Sequence, residues 1–403
     1  MTQVPPLYGH RLERHPAIAV LIVALMLFTI GATVVEIPYL GANGAMVDFD
    51  AFYIVSQMIA EGRLTEAYDP AVMMERQSEL AGKKIFMPWT YPPPFDLVVA
   101  PFALAPRGVS YAVFMLVTLA AYLLVLRRLA GPYLAAVLIA TFPALLIVTR
   151  VGQNGLLTAA LTGLFALWWL EARSRTKAGL PLGLLVIKPH LGIGIGFLVL
   201  ISGHWRTLAV GFATVGAVAL LSLLVFGPAP WAAFLDATRI AGENMEKGLY
   251  PLFRMTSAYA AAFSFGLPSG LALALHGLMA LLALVAIAVT RLQNWPPRRQ
   301  MGVALFATLA ISPYNYDYDM AVLGLSLALL APDLIRFGHW GERLALLGAT
   351  WLCTGSGLFI VVYIVESGTH NTSRFLSLGG IGLLLMALLM ARILPRARAA
   401  DAP

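Results

Sequence analysis

The sequence predicts an all-α integral membrane protein, a polytopic bundle of roughly twelve transmembrane helices in a single domain over residues 1–403. Hydrophobic residues make up 60% of the chain and charged residues only 12%, whereas an ordinary soluble domain carries about 25% charged residues. Apolar runs of about 20 residues, the length that crosses a bilayer, recur along the whole chain. These runs exceed the roughly 10-residue alternating strands of a membrane barrel, and helices satisfy their own backbone amides, so the spans are predicted to be helical.

Short basic connections between the apolar runs set the orientation. The chain has a net charge of +7, and its lysines and arginines cluster in connections that the positive-inside rule places in the cytoplasm. This placement accounts for the charge without a nucleic-acid partner. The basic connections are residues 127–128, 171–177, 204–206, 291–299, 336–343 and 392–398, and the polar turns expected on the other side are 48–94, 150–154, 188–190, 227–269, 315–319 and 366–374.

The sequence predicts an N-terminal membrane anchor and two long loops on the outer side. Arg14 precedes the first apolar run, residues 17–37, which we interpret as an uncleaved anchor because it is longer than the core of about 7 to 15 residues in a signal peptide. The first outer loop, 38–94, has helix-compatible patterns, and a proline after Asp69 marks a helix start within it. We therefore expect a structured first loop with amphipathic helices on the membrane surface. The second long outer loop covers 227–269.

Two carboxylates, Asp48 and Asp50, stand among aromatic residues in the first outer loop. Residues two apart on a helix point about 200° apart, so we expect only one of the two to face a cavity. Asp48 is the candidate catalytic base at the outer mouth of the bundle. The alternative is structural, with Asp48 capping the helix that begins at Phe49, and the two roles are compatible.

The turn Lys188-Pro189-His190 interrupts a hydrophobic stretch, a broken-helix pattern that lines polar cavities in membrane proteins. Lys188 is predicted to bind a phosphate as a point charge, and His190 to contact a sugar or an acceptor. The alternative for Lys188 is a snorkelling side chain that contacts lipid headgroups. The remaining cations of the 227–269 loop are Arg239, Lys247 and Arg254.

The segment RVGQNG, which begins at Arg150, is a second polar turn between apolar runs. Arg150 is the second candidate for phosphate binding, and Gln153 and Asn154 are candidates for hydrogen bonds to sugar hydroxyls. The alternative is a polar reverse turn without a ligand.

The segment SPYNYDYD, residues 312–319, is the densest polar and aromatic cluster within otherwise apolar sequence. Ionisable residues within or close to membrane-spanning segments are functional candidates. Aromatic rings beside carboxylates can pack against a sugar ring while the carboxylates bind its hydroxyl groups. Tyr316, Asp317 and Tyr318 are therefore predicted to contact the sugar or the acceptor. The alternative is an interfacial aromatic belt.

Other common chemistries lack a sequence signal. The histidines show no metal-ligand spacing and there is no HExxH motif. Cys353 is the single cysteine, so neither a disulfide nor a cysteine-ligated metal site can form within one chain. Walker and dinucleotide fingerprints are absent as well. We therefore expect no metal, no cofactor and no nucleotide substrate.

Five patches, in order along residues 48–319, resemble the bacterial glycosyltransferase family 87, formerly a domain of unknown function and related to polyprenol-phosphate-mannose-dependent α-mannosyltransferases. The patches are VDFDAFY with the later AYDP, YPPPFDLVVAPFALAP, RVGQNGLLTAAL, LGLLVIKPHLG and SPYNYDYDM. Each patch is short, and their shared order carries the resemblance. Asp48 matches the aspartate that serves as the family's base. Many relatives are similar to SPxSWxHH at the last patch, whereas this chain has Tyr318 and Asp319 at the histidine positions. The mannose specificity of those relatives is therefore not assigned to this chain.

The resemblance implies a GT-C architecture and a sugar donor carried on a polyprenyl phosphate. Nucleotide sugars are cytoplasmic, whereas a lipid carrier presents its sugar on the other side, so the active site is expected to face the periplasm of a bacterial inner membrane. The expected partners are the lipid-linked donor, a lipid or glycan acceptor and membrane lipids. In the implied reaction Asp48 takes the proton from the acceptor hydroxyl, and the anomeric carbon is inverted.

A transporter or flippase of a lipid-linked saccharide is the alternative function, because broken helices and buried polar turns also describe substrate translocation. Its expected sign, a pair of interrupted spans in two related halves, is absent from the sequence.

Overall fold

The computed structural model describes residues 15–40, 46–82, 87–367 and 375–400. Arg14 and most of the predicted 366–374 turn lie outside these residues. The described chain forms α-helices joined by short 3₁₀ turns, and within it the β-pairing consists of one antiparallel bridge between Met255 and Tyr316. The α-helices are α1 (Pro16–Leu40), α2 (Asp48–Ala60), α3 (Pro70–Ala81), α4 (Pro93–Val99), α5 (Arg107–Ala130), α6 (Leu134–Val151), α7 (Gly155–Leu170), α8 (Gly179–Leu184), α9 (Ile193–Ile201), α10 (Trp205–Phe226), α11 (Ala229–Glu246), α12 (Ala258–Ser264), α13 (Ser269–Leu292), α14 (Pro297–Ile311), α15 (Ala321–Phe337), α16 (Trp340–Ser367) and α17 (Gly379–Ala399).

Seven helical segments of the described chain are long and apolar enough to cross a membrane. They are Pro16–Leu40, Arg107–Val151, Trp205–Phe226, Ser269–Leu292, Asp317–Phe337, Trp340–Ile364 and Gly379–Ala399. Three shorter apolar segments accompany them, Pro93–Leu104, Gly155–Leu170 and Pro189–Ile201. These helices make the chain a polytopic membrane protein, and the count of twelve crossings stays a prediction.

The longest of the seven segments is a hairpin of α5 and α6. At its start, Arg107 donates a hydrogen bond to the carbonyl of Ile37 near the end of α1, and close to its end Arg150 donates one to Thr33 Oγ1 of the same helix at 3.0 Å. A continuous helix of 45 residues would be about 68 Å long, so the chain must reverse for both ends to reach α1. The reversal falls at Gly131, whose φ of +52° is accessible to glycine without strain.

Helical structure is broken around Lys188, as the sequence predicts. A 3₁₀ turn after α8 ends at Ile187, and another that begins at Pro189 leads into α9. Proline disfavours a helical conformation in the residue before it, and Lys188 has φ −151° and ψ 70°. Lys188 lies at the tip of a hairpin, because Thr207 Oγ1 after α9 donates a hydrogen bond to the Arg175 carbonyl before α8 at 3.0 Å.

The two ends of the bundle differ in character. We call the end that carries Asp48 and Lys188 the site end, and the end that carries the connection between α13 and α14 the basic end. At the basic end Asp333 of α15 pairs with Arg298 at 2.6 Å and with Arg299 at 2.8 Å. These ion pairs neutralise the Asp333 carboxylate, which is buried, and tie α14 to α15.

The short helices α2, α3 and α4 follow α1 and precede α5 in the chain. Phe52 of α2 packs edge-on against Phe95 of α4 with ring centroids 5.3 Å apart, and Tyr53 Oη donates a hydrogen bond to the Ala105 carbonyl at 3.2 Å. Both ends of the apolar stretch 95–106 therefore lie against α2. The sequence leaves open whether this stretch crosses the bundle, and in the structure it returns to the same end.

Helix α3 begins where the sequence predicts a helix start. The Asp69 carboxylate caps it by accepting a hydrogen bond from the Ala71 backbone N–H at 2.8 Å, and Pro70 occupies the first helical position. Proline is favoured there because that N–H has no partner within the helix. The helix ends at Gly82, which has a left-handed conformation with φ of +67°.

Candidate active site

A cavity of about 370 Å³ lies at the site end, within the usual range of about 300–1,000 Å³ for small-molecule sites. Its walls come from α2, α11 and the turns around residues 87–92, 187–190, 250–254 and 314–318. Six residues singled out from the sequence line it, namely Asp48, Gln153, Lys188, His190, Tyr316 and Tyr318. Further lining residues are Trp89, Tyr91, Phe234, Tyr250, Arg254 and Tyr314.

Asp48 is the first residue of α2, and its side chain lines the cavity with 17% of its surface exposed. Another residue caps the helix, because the Asp50 carboxylate accepts a hydrogen bond from the Val47 backbone N–H at 3.0 Å. The two carboxylates therefore point in different directions, as their spacing predicts. Asp48, which does not cap the helix, faces the cavity.

Asp50 is fully buried and faces Arg107, whose Nη1 lies 3.4 Å from Asp50 Oδ1. Burial disfavours the charged form and raises the pKa of Asp50 to about 6, even though the Arg107 charge and the Val47 N–H favour the carboxylate. The neighbouring Asp48 charge raises the pKa further. The role of Asp50 is structural, since it links α2 to the start of α5.

Arg254 joins Asp48 to Asp317. Its Nε and Nη2 each donate a hydrogen bond to Asp317 at 3.2 Å, and its Nη1 lies 3.7 Å from Asp48 Oδ1. A planar guanidinium matches a carboxylate with two parallel hydrogen bonds, so Asp317 fixes the orientation of Arg254. Arg254 in turn places a positive charge beside Asp48.

Close backbone packing holds this ion pair in place. The Thr256 backbone N–H donates a hydrogen bond to the Asn315 carbonyl at 2.8 Å, which joins the chain after Arg254 to the chain before Asp317. On the other side α16 approaches so closely that a Cβ on Gly357 would lie 2.7 Å from Asp317 Oδ2. Glycine at this position makes room for the pair.

Lys188 forms the second cationic group of the cavity. Its Nζ donates hydrogen bonds to Asp319 Oδ1 at 2.5 Å and to Asn154 Oδ1 at 3.3 Å. It also lies 4.7 Å from the ring centroid of Tyr318, and Arg254 Cζ lies 5.5 Å from the same centroid. An ammonium group has three donors, and the hydrogen bonds to Asp319 and Asn154 use two of them.

Four tyrosines form a continuous aromatic wall. The rings of Tyr316 and Tyr318 stack almost parallel, with centroids 5.2 Å apart and an interplanar angle of 3°. Tyr314 meets Tyr316 edge-on at 5.3 Å, and Tyr250 meets Tyr314 edge-on at 5.2 Å. The wall thus runs from the two cations on Tyr318 towards the segment that follows α11.

Asp48, which lines the cavity, and the buried Asp317 and Asp319 behind its wall are all paired with cations. Asp48 and Asp317 share Arg254, and Asp319 binds Lys188. In the part of the chain that the structure describes, no three His, Cys, Asp or Glu side chains are grouped as metal ligands. The Asp48 carboxylate and the Lys188 and Arg254 cations line the cavity, which therefore has both a proton acceptor and groups that can bind an anion.

Three polar atoms beside the cavity have no hydrogen-bond partner among the described residues. They are Nδ2 of Asn154, a fully buried residue, Nε2 of His190 and Oη of Tyr250. The neighbouring Gln153 is satisfied, since its Oε1 accepts hydrogen bonds from Tyr91 Oη at 3.0 Å and from the Asn154 backbone N–H at 3.1 Å. Buried polar groups are normally paired, so these atoms have unused hydrogen-bonding capacity.

Arg150, the second candidate for phosphate binding, lies away from the cavity. It extends from the last turn of α6 towards α1, where it pairs with Glu36 at 2.5 Å and donates a hydrogen bond to Thr33. Its direction follows from the packing of α6 on α1. The structure therefore does not bring Arg150 to Asp48 and Lys188.

The sequence patterns do not identify the Trp89 side of the cavity, and they mark Arg254 only as one of three further cations of the 227–269 loop. Asp96, which is buried in α4, accepts hydrogen bonds from Tyr68 Oη at 2.7 Å and from Trp89 Nε1 at 3.0 Å. This network fixes the indole in the cavity wall. The sequence feature that marks this wall is the pair of aromatic residues, Trp89 and Tyr91, just before three consecutive prolines.

The fold and the cavity define a polytopic membrane protein with a polar site at one end of its helical bundle. The family model of glycosyltransferase family 87 matches residues 89–313, more than half of the chain. The chain belongs to this family, which confirms the resemblance carried by the five patches, and it is a membrane glycosyltransferase. The matched range includes Lys188 and Arg254, whereas Asp48 precedes it. Comparison with curated proteins and with solved structures gives no match.

Proposed function

We propose that this glycosyltransferase moves a sugar from a polyprenyl-phosphate carrier to a hydroxyl of a lipid or glycan acceptor, with inversion, and that Asp48 is the general base. The reaction would take place at the periplasmic face of a bacterial inner membrane. One observation carries the proposal: the cavity places the Asp48 carboxylate and the Lys188 ammonium group together at one end of a membrane-embedded bundle. A sugar on a lipid phosphate needs both a base for the acceptor and a cation for the leaving group.

The proposed step transfers one proton and exchanges one bond. The acceptor oxygen attacks the anomeric carbon as the bond from that carbon to the phosphate oxygen breaks, and the pair of electrons leaves with the polyprenyl phosphate. Asp48 accepts the hydroxyl proton. A carboxylate is a weak base for an alcohol, so the proton moves late, and much of the acceleration comes from positioning and from charge stabilisation.

Arg254 is assigned as a positioning residue for the base. It is held by two hydrogen bonds to Asp317 and lies 3.7 Å from Asp48. In an inverting displacement the base and the leaving phosphate lie on opposite sides of the anomeric carbon. A cation beside the base therefore orients it, and a different cation is needed for the phosphate.

Lys188 is assigned to the carrier phosphate. The hydrogen bonds to Asp319 and Asn154 fix its ammonium group at the cavity wall and leave one donor for the ligand. A preorganised cation is worth most where charge develops in the transition state. Here that charge develops on the phosphate oxygen as the sugar leaves.

Sugar contacts are assigned to residues around these two groups. The unpartnered Asn154 Nδ2 and His190 Nε2 supply hydrogen-bonding capacity for hydroxyl groups, and Gln153 lies next to them. The stacked Tyr316 and Tyr318 rings give the flat apolar surface that packs against a sugar face. Family membership favours a transferase over a transporter of lipid-linked saccharides.

The proposal is tested with purified full-length protein in nanodiscs. Synthetic polyprenyl-phosphate sugars are compared with nucleotide sugars as donors, mixed lipid and glycan acceptors are supplied, and products are identified by mass spectrometry and by the NMR coupling of the anomeric proton. We expect transfer from the lipid-linked donor alone, with inverted configuration. Transfer from a nucleotide sugar, or retention of configuration, would contradict the proposal.

A further inference from the structure

A second cavity of about 780 Å³ lies between α13, α14 and α17 towards the basic end. It is lined along α13 from Met279 to Gln293 and along α17 from Leu384 to Arg398. At a rise of 1.5 Å per residue each wall is about 21 Å long, more than half of the roughly 30 Å hydrocarbon thickness. Both α13 and α17 are candidate membrane spans. We call this cavity the α17 groove.

Small side chains keep the α17 groove open. Each of the three helices contributes at least two alanines to its lining: Ala283 and Ala286 from α13, Ala307 and Ala310 from α14, and Ala387 and Ala391 from α17. In membrane bundles small residues normally let helices approach closely, but here they face a gap. The exposed side chains of Leu282 and Leu388 also line the groove, so it is open to the lipid phase.

The mouth of the groove at the basic end is polar and positively charged. Arg398 Nη1 donates a hydrogen bond to Gln293 Oε1 at 2.5 Å, and Trp295 Nε1 donates one to the same oxygen at 3.1 Å. Several other arginines at this end bind carboxylates, as Arg396 does with Glu342 at 2.7 Å. Among the described residues Arg398 binds the neutral amide and no carboxylate, so its charge is not neutralised there.

We propose that the α17 groove binds one anionic phospholipid, with an acyl chain along the alanine lining and the phosphate against Arg398. Apolar contact alone gives little selectivity within a bilayer, because the surrounding lipid tails are equally apolar. A basic pocket between helices at the membrane surface supplies the selectivity. A second copy of this chain would bring further arginines to the mouth, whereas a lipid phosphate neutralises the one already present.

The test counts lipids bound to the full-length protein. Delipidated protein in detergent is titrated with dioleoyl phosphatidylglycerol or dioleoyl phosphatidylcholine, and bound lipid is measured by native mass spectrometry. We expect one phosphatidylglycerol to bind about fivefold more tightly than phosphatidylcholine, the factor typical of one arginine at a membrane surface. This preference should disappear in Arg398→Gln and persist in Arg206→Gln, which removes an exposed arginine of α10 outside the groove.

Substitutions that fill the groove test the acyl-chain site independently of the Arg398 charge. Ala387→Phe and Ala391→Phe each place a ring in the groove and should remove the bound lipid of either class, and the variant with a melting temperature like that of the natural protein is the one compared. Equal affinity for both lipids in the natural protein would overturn the proposal. So would an unchanged preference in Arg398→Gln, undiminished binding in the filled variants, or a dimer without lipid. None of these readouts depends on sugar transfer.

Discussion

Arg254 Nη1 lies 3.7 Å from Asp48 Oδ1 in the cavity at the site end. The Nε–Nη2 edge of the same guanidinium is fixed by its two hydrogen bonds to Asp317. This relationship joins the start of α2 to the loop before α12 and to the segment before α15, three regions that are far apart in the sequence. The position of the proposed base therefore depends on tertiary packing as well as on α2.

Asp48→Asn should reduce sugar transfer by at least about a hundredfold, because the amide keeps the size of the side chain but cannot accept the proton. The melting temperature should hardly change, since Asp50 and not Asp48 caps α2. Rates are measured in nanodiscs with a lipid-linked donor. Asp236→Asn, which alters an exposed carboxylate of α11 outside the cavity lining, is the matched control and should keep full activity. A rate above about a tenth of the natural one in Asp48→Asn would remove the base assignment.

Arg254→Gln should lower both stability and activity, because it leaves the buried Asp317 carboxylate without its partner. Breaking a buried ion pair costs about 3–5 kcal/mol. The double variant Arg254→Gln with Asp317→Asn removes the unpaired charge and should recover most of the melting temperature. It should not recover transfer, since Asp48 still lacks the positioning cation. Recovery of both properties in the double variant would show that Arg254 is purely structural.

The overall organisation of the chain follows from local sequence features. Apolar length identifies the spans, the proline after Lys188 breaks a helix, and Asp69 starts another, because each signal acts within a few residues. The family assignment also follows from the sequence, since the order of five patches is independent of how they pack. The sequence predicts roughly twelve crossings for the same reason, whereas seven helical segments of the described chain are long and apolar enough to cross a membrane. One of these segments is the hairpin of α5 and α6, whose boundary depends on the turn at Gly131.

The composition of the site is harder to predict, because side-chain direction depends on how helices pack. Arg150 and Lys188 both occupy polar turns between apolar runs, but packing of α6 on α1 directs Arg150 to Glu36. Arg254 reaches Asp48 because the chain around it pairs with Asn315, a contact across about 60 residues that no periodicity reveals. Helical spacing shows that Asp48 and Asp50 diverge, but only the docking of α2 decides which one faces the cavity.

Stability should depend on pH through Asp50. Its pKa of about 6 in the folded protein lies above the value of about 3.9 for an unfolded chain, so the native state binds the proton more tightly. The contribution of Asp50 to the free energy of unfolding is therefore largest below pH 4, and about 3 kcal/mol of it is lost as the pH rises through about 6. Unfolding of the natural protein and of Asp50→Asn is followed in mixed micelles from pH 4 to 7. Parallel curves for the two proteins would contradict the assignment.

Lys188→Met should raise the requirement for lipid-linked donor and lower turnover by a few hundredfold, which corresponds to the about 3–4 kcal/mol typical of a lost contact to a developing charge. Lys188→Arg should keep part of both. Removal of the lysine also leaves Asp319 unpaired, so Lys188→Met is compared with the double variant that adds Asp319→Asn. Lys247→Met, at an exposed cation of the second long loop, is the control. Unchanged donor kinetics in Lys188→Met would remove the assignment of Lys188 to the carrier phosphate.

The orientation of the bundle is tested with single cysteines in a Cys353→Ala background, because Cys353 is the only natural thiol and is buried. Leu249→Cys lies next to the cavity in an exposed position at the site end, and Lys177→Cys lies in an exposed basic connection. The positive-inside rule places the basic connection in the cytoplasm, so an impermeant maleimide added to intact cells should label Leu249→Cys and spare Lys177→Cys. Permeabilised cells should label both, which controls for reactivity. Labelling of Lys177→Cys in intact cells would reverse the orientation and place the cavity on the side where nucleotide sugars are made, which would remove the reason for a lipid-linked donor.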